Sequence, residues 1–152
     1  MASAAERRRR IAVIGPGDAN AHIARLAQQV GQFLGWEGCD VYTGGLSGVM
    51  EAAARGASQA GGLTVGILPG EETSDANTQI RIAVATGLGE GRNLVLVRSV
   101  EAVIAVGKGY GTLSEIAFAL RLQKRVVGLE TWDVEGIVQA GSPEEAVQQA
   151  LR

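Results

Sequence analysis

Hydrophobic positions along this chain alternate between two kinds of segment. Short, nearly continuous apolar runs fall at residues 10–15, 40–43, 63–68, 80–85, 102–106 and 126–129, each bounded by Gly, Pro or polar residues. Runs of that length predict buried strands. Between them apolar residues recur every three to four positions. Ile23, Leu26, Val30, Phe33 and Leu34 make one stripe of a helix over residues 20–35, closed by Gly35 and Gly38. The same reasoning predicts helices over 47–60, 92–99 and 112–122. A last helix begins at Ser142-Pro143-Glu144-Glu145, with a cap residue, Pro at the first helical position and Glu three residues after the cap. Residues 71–77 are polar without either period and read as a loop that can lie over a site, while 132–140 fit neither pattern.

Buried strands separated by helices predict an α/β fold: a Rossmann-like, doubly wound three-layer sandwich with a mostly parallel sheet of about six strands. In such a sheet the ligand crevice lies beyond the carboxyl ends of the strands, where the strand order reverses. The glycine clusters of this chain fall at those ends.

Composition narrows the class. The 152 residues, 46% apolar and 20% charged with 22 Gly, suit one globular domain and exclude disorder, collagen-like repetition and a disulfide scaffold. No apolar run approaches the roughly 20 residues of a membrane-spanning helix, and Gly15-Pro16 interrupts the apolar stretch after the basic start. The expectation is a cytoplasmic protein with no membrane partner, with residues 1–9 a basic disordered tail and 10–152 a single nucleotide- or phosphate-ligand-binding domain. Net charge is −2, which speaks against non-specific nucleic-acid binding. Arg7–Arg10 reads as either a polyanion-binding arm or a solvated terminus. One cysteine, Cys39, and one histidine, His22, speak against a disulfide or a protein-built zinc centre.

Three strand-to-helix turns are glycine-rich: Gly15-Pro16-Gly17, Gly44-Gly45-Leu46-Ser47-Gly48 and Gly107-Lys108-Gly109-Tyr110-Gly111-Thr112. Glycine admits positive φ and lets a phosphate approach peptide N–H groups. The helix start that follows adds unpaired donors and about half a positive charge. Three such turns on one sheet edge predict an anionic ligand, although each alone also serves tight turning. Asn20 stands where a dinucleotide fingerprint needs its third glycine, and Lys108 is followed by Gly109, so neither NAD binding nor a Walker A loop is expected.

Two readings compete at Thr112-Leu113-Ser114-Glu115: a capping box, or a carboxylate placed beside a bound phosphate. Arg92 can grip a phosphate or carboxylate bidentately, or pair with Glu90 on the surface. Glu51 reads first as a charge favourable to its helix dipole. The 116–122 helix is apolar nearly all round, which suits burial in a large core or a homodimer or higher homo-oligomer through this helix.

Thr43–Glu51, Arg92-Asn93 and Gly107–Glu115 together resemble the superfamily of the LOG (lonely guy) phosphoribohydrolases and the molybdenum cofactor carrier proteins, in matching order from Ile11 to Trp132. Gly87–Asn93, Ala102–Val106 and Gly128–Trp132 are most similar to the carrier branch. The resemblance implies a phosphorylated ligand, an AMP-like nucleotide or the molybdenum cofactor, with no further cofactor required. In a carrier, Gly15, Gly17, Gly44, Gly45, Gly48, Arg92, Asn93, Gly107, Lys108, Gly109, Tyr110, Gly111, Thr112 and Glu115 are the candidate ligand-binding residues. In a nucleoside 5′-monophosphate phosphoribohydrolase, Glu115 and Arg92 match the residues linked with cleavage of the bond between base and ribose. Two departures stand against the enzyme: Val106-Gly107-Lys108-Gly109 replaces Pro-Gly-Gly, and Asn93 replaces a lysine. Lys108 either adds a mobile positive charge for the ligand or places a side chain in the cradle. Many members carry the label of possible lysine decarboxylase; nothing in this sequence supports pyridoxal phosphate chemistry.

Overall fold

A computed structural model describes residues 7–152. The apolar runs become strands β1 (Arg10–Ile14), β2 (Asp40–Thr43), β3 (Thr64–Leu68), β4 (Ile82–Ala85), β5 (Ala102–Val106) and β6 (Arg125–Leu129). A seventh, β7 (Val138–Gln139), comes from the stretch that matched neither period; two residues are too few to show one. The helices are α1 (Ala21–Trp36), α2 (Val49–Gln59), α3 (Arg92–Arg98), α4 (Tyr110–Arg121) and α5 (Pro143–Ala150). Every pairing is parallel, in the order β4-β3-β2-β1-β5-β6-β7. This is the expected doubly wound α/β architecture, with one strand more than predicted.

Alternate residues of each central strand feed two cores. Ile11, Val13, Ile104 and Val106 pack under α1, α2 and α5, whereas Ala12, Ile14, Val103 and Ala105 pack under α3 and α4. Both faces are covered there, which is why these strands read as continuous apolar runs. Helices α1 and α2 approach unusually closely. A Cβ at Gly31 would lie 2.0 Å from the Ala53 carbonyl oxygen, and one at Gly56 1.9 Å from that of Gln28. Two glycines facing carbonyls therefore set the spacing of these helices.

Helix α5 opens as the sequence indicates: Ser142 Oγ accepts from the Glu145 N–H at 3.1 Å. The Glu145 carboxylate reaches back one residue beyond the cap, to the Gly141 N–H at 2.8 Å. Of the expected tail, residues 1–6 lie outside the described residues. Arg8 binds the Asp40 carboxylate and Arg9 donates to the Leu151 carbonyl at 2.6 Å, so both belong to the amino edge of the sheet rather than to a free arm.

Candidate functional site

The strand order reverses between β1 and β5, and the loops after those strands diverge to opposite sides. Between them opens a cavity of about 480 Å³, within the roughly 300–1,000 Å³ of small-molecule sites. Gly15 brings the first loop against the second: a Cβ there would lie 2.3 Å from the Val106 carbonyl oxygen. Gly107 turns the second loop with φ +78°, a conformation that favours glycine.

Helix α4 begins two residues earlier than predicted, because Gly109, extended at φ −167° and ψ 159°, is its cap residue. Its first backbone bond is Leu113 N–H to the Gly109 carbonyl at 2.9 Å. Three N–H groups, of Tyr110, Gly111 and Thr112, precede that bond at a helix start on the cavity wall. Thr112 is thus inside the first turn and the capping-box reading fails. Its Oγ1 is buried without a hydrogen-bond partner. A Cβ added at Gly111 would meet no protein atom within 4 Å, so this glycine keeps the cradle open.

Arg92 reaches the same cavity from α3, and Glu115 from α4 itself, one turn beyond the cradle. Arg92 Nη1 donates to Asn93 Oδ1 at 2.5 Å, and Asn93 Nδ2 donates to Ser114 Oγ at 3.2 Å, which ties the arginine to α4. The Arg92 guanidinium also lies over Gly44, where a Cβ would come within 2.8 Å of its carbon. Arg92 Nε is buried and unpaired. Burial pushes the Glu115 carboxyl up to about 8, only partly offset by Arg92 at 4.0 Å, and burial likewise lowers the Arg92 pKa. At neutral pH Glu115 is mostly the uncharged acid.

Of the predicted residues, Gly15, Gly17, Arg92, Asn93, Gly109, Tyr110, Gly111, Thr112 and Glu115 line the cavity, and Gly44, Gly45, Gly48, Gly107 and Lys108 do not. Gly48 packs on the Gly17 backbone and Gly45 against Leu68, so the second turn supports the walls. Lys108 stays out of the cradle, its Nζ 5.6 Å from the centre of the Trp132 ring. Pro16, Asp18, Met50, Pro69, Gly89 and Glu90 also line the cavity; Pro16, Met50, Gly89 and Glu90 lie inside the sequence motifs, whereas Asp18 and Pro69 lie in none. The 71–77 loop does not line this cavity: Asn77 Nδ2 donates to the Leu46 carbonyl at 2.7 Å, and Asp75 and Asn77 border a separate cavity with Leu46, Ser47 and Glu51. Among the described residues no group of three or more His, Cys, Asp or Glu could hold a metal ion, and no helix is long and apolar enough to cross a membrane.

The model of the SLOG cluster4 family matches residues 8–151. The chain belongs to that family. A similar solved structure is the molybdenum cofactor binding protein of the phototrophic bacterium Rippkaea orientalis, 41% identical with a TM-score of 0.89, covering 94% of this chain and 95% of that one. The molybdenum cofactor carrier protein of Chlamydomonas reinhardtii is 33% identical with a TM-score of 0.84, covering 93% and 95%. The probable cytokinin riboside 5′-monophosphate phosphoribohydrolase LOGL5 of Oryza sativa subsp. japonica is 36% identical over 82% of this chain, which spans only 55% of the rice protein. SLOG cluster4 membership and these relatives agree with the LOG and carrier superfamily indicated by the motifs.

Proposed function

We propose that this protein binds a phosphorylated small molecule of nucleotide or molybdopterin type and carries it without turnover. The phosphate seats on the N–H groups of Tyr110, Gly111 and Thr112, with Arg92 reaching in from α3 and Glu115 as an orienting acid. One observation carries the reading: the N–H groups of Tyr110, Gly111 and Thr112 stand at the start of α4, uncapped by any side chain, in residues that line the cavity together with Arg92. Those N–H groups have no acceptor within the helix, and a phosphate would supply one. The molybdenum cofactor binding named for the similar solved proteins supports a molybdopterin-type cargo. Such a cargo brings its own metal, consistent with a site that needs only to grip its phosphate.

A second reading has its own support. Glu115, protonated at neutral pH beside Arg92, could donate a proton to a departing base, as a nucleoside 5′-monophosphate phosphoribohydrolase requires. Incubation with AMP separates the two. The carrier reading expects a rise in melting temperature of roughly 5–10 °C at 100 times the dissociation constant, and no adenine. Release of adenine and ribose 5-phosphate, lost in Glu115→Gln, would overturn it.

The protein also acts as a homo-oligomer in this proposal. Phe118, Leu120 and Leu122 of the 110–122 region remain half-buried. Ile82 and Val84, in register with Val65 and Ile67 on the same sheet face, are 47% and 41% exposed. A second copy would cover this apolar face.

A further inference from the structure

We infer that the outer face of the Tyr110 ring is the platform on which the planar heterocycle of the ligand stacks. The inference rests on the phosphate seat proposed above and assigns the other end of the ligand. Tyr110 is the first residue of α4, next to the cradle, and lines the cavity. It is also 85% exposed, the most exposed of the chain's large hydrophobic side chains among the described residues.

The ring is nonetheless held. It stacks on Trp132 with centroids 6.1 Å apart and planes 25° from parallel. Trp132 is fixed in turn, because its Nε1–H donates to the Gly109 carbonyl at 3.0 Å and the Lys108 ammonium sits 5.6 Å from its ring centre. An anchored indole flanks the tyrosine at this offset, and most of the ring stays open beside the cavity. A tyrosine serving only to pack on Trp132 would gain by burying both faces. A stacking platform needs an open face beside the ligand site, and takes any planar heterocycle because every such ring has a π face.

This arrangement assigns a class: a phosphate joined through a short linker to a flat nitrogen heterocycle, gripped at both ends by the single stretch Gly109–Thr112. Trp132 and Lys108 are positioning residues for the ring.

The probes are GMP, which has both ends, and ribose 5-phosphate, which has only one. Calorimetric titration of the full chain, Tyr110→Phe and Tyr110→Ala is expected to give GMP affinity within threefold for the phenylalanine variant and at least about tenfold weaker for the alanine variant. Ribose 5-phosphate affinity is expected to be the same in all three. In a Trp36→Phe background Trp132 is the sole tryptophan, and its emission is expected to change with GMP and not with ribose 5-phosphate. Unchanged GMP affinity in Tyr110→Ala, or equal weakening of both probes, would overturn the platform. So would loss of a homo-oligomer in Tyr110→Ala by sedimentation, since the ring would then be a contact between copies. Ribose 5-phosphate binding as tightly as GMP removes the platform and leaves the phosphate seat standing; failure of both to bind removes the seat itself.

Discussion

Glu115 faces Arg92 at 4.0 Å inside the protein, with the two side chains 7% and 11% exposed, a separation too long for a hydrogen bond. Burial outweighs the arginine and holds the carboxyl near 8, so the pair at neutral pH is a cation beside a neutral acid. An anionic ligand nearby disfavours ionisation of Glu115 further. Phosphate affinity is therefore expected to be flat from pH 6.5 to 7.5 and to fall above 8, by up to about tenfold per pH unit, as the free protein loses that proton. Glu115→Gln is expected to remove the decline. Titrations across pH 6.5–9.5 check this, and a slope unchanged in the glutamine variant would refute it.

The same shift sets a pH window for stability. The folded protein holds a proton that the unfolded chain, with a carboxyl near 4.5, releases more readily. The contribution of this group is thus fully present below 4.5 and lost as pH rises through about 8. Melting temperatures of wild type are expected to fall across that window relative to Glu115→Gln, which carries no proton to lose. Parallel curves for the two proteins would contradict it.

Thr112 places a hydroxyl where no protein atom receives it, at 2% residue exposure. Valine keeps the shape and removes the unmet hydrogen bond, whose burial costs about 1–3 kcal/mol. Thr112→Val is expected to melt several degrees higher without ligand and to gain less from added GMP than wild type does. A lower melting temperature would indicate a structural partner for the hydroxyl.

Gly56 faces the Gln28 carbonyl oxygen, and a methyl there would lie 1.9 Å from it. The obstacle is backbone, so relief requires α1 and α2 to separate. Gly56→Ala is expected to destabilise by about 3 kcal/mol, seen as a lower denaturation midpoint with an unchanged slope. An alanine variant as stable as wild type would mean that the two helices are free to shift.

How far the sequence carried the fold depended on which signal each element left. Strands buried on both faces leave unbroken apolar runs, so β1, β3, β5 and β6 were legible, and Ser142 announced α5 through its cap. Two-residue β7 left no period to read. At α4 a threonine followed by glutamate three residues on imitates a cap, whereas extended Gly109 is the residue that caps, so the sequence signal points two residues past the true start. Within the site, the glycine turns marked the crevice, yet Gly44, Gly45 and Gly48 brace its wall rather than line it. Asp18 and Pro69 enter the wall through folding alone, a relation that no local motif encodes.

Gly111 offers the sharpest separation of stability from binding. It lies in the first turn of α4 at a helical position, and a Cβ there would meet no protein atom within 4 Å. Alanine is the better helix former by up to about 1 kcal/mol, so Gly111→Ala is expected to be as stable as wild type or slightly more so. The methyl would, however, occupy space beside the N–H groups on which the phosphate is proposed to seat. Affinity for both GMP and ribose 5-phosphate is expected to fall at least about tenfold, because the loss is at the end the two share. If thermal melts and titrations instead showed both properties unchanged, the phosphate would have to seat elsewhere in the crevice.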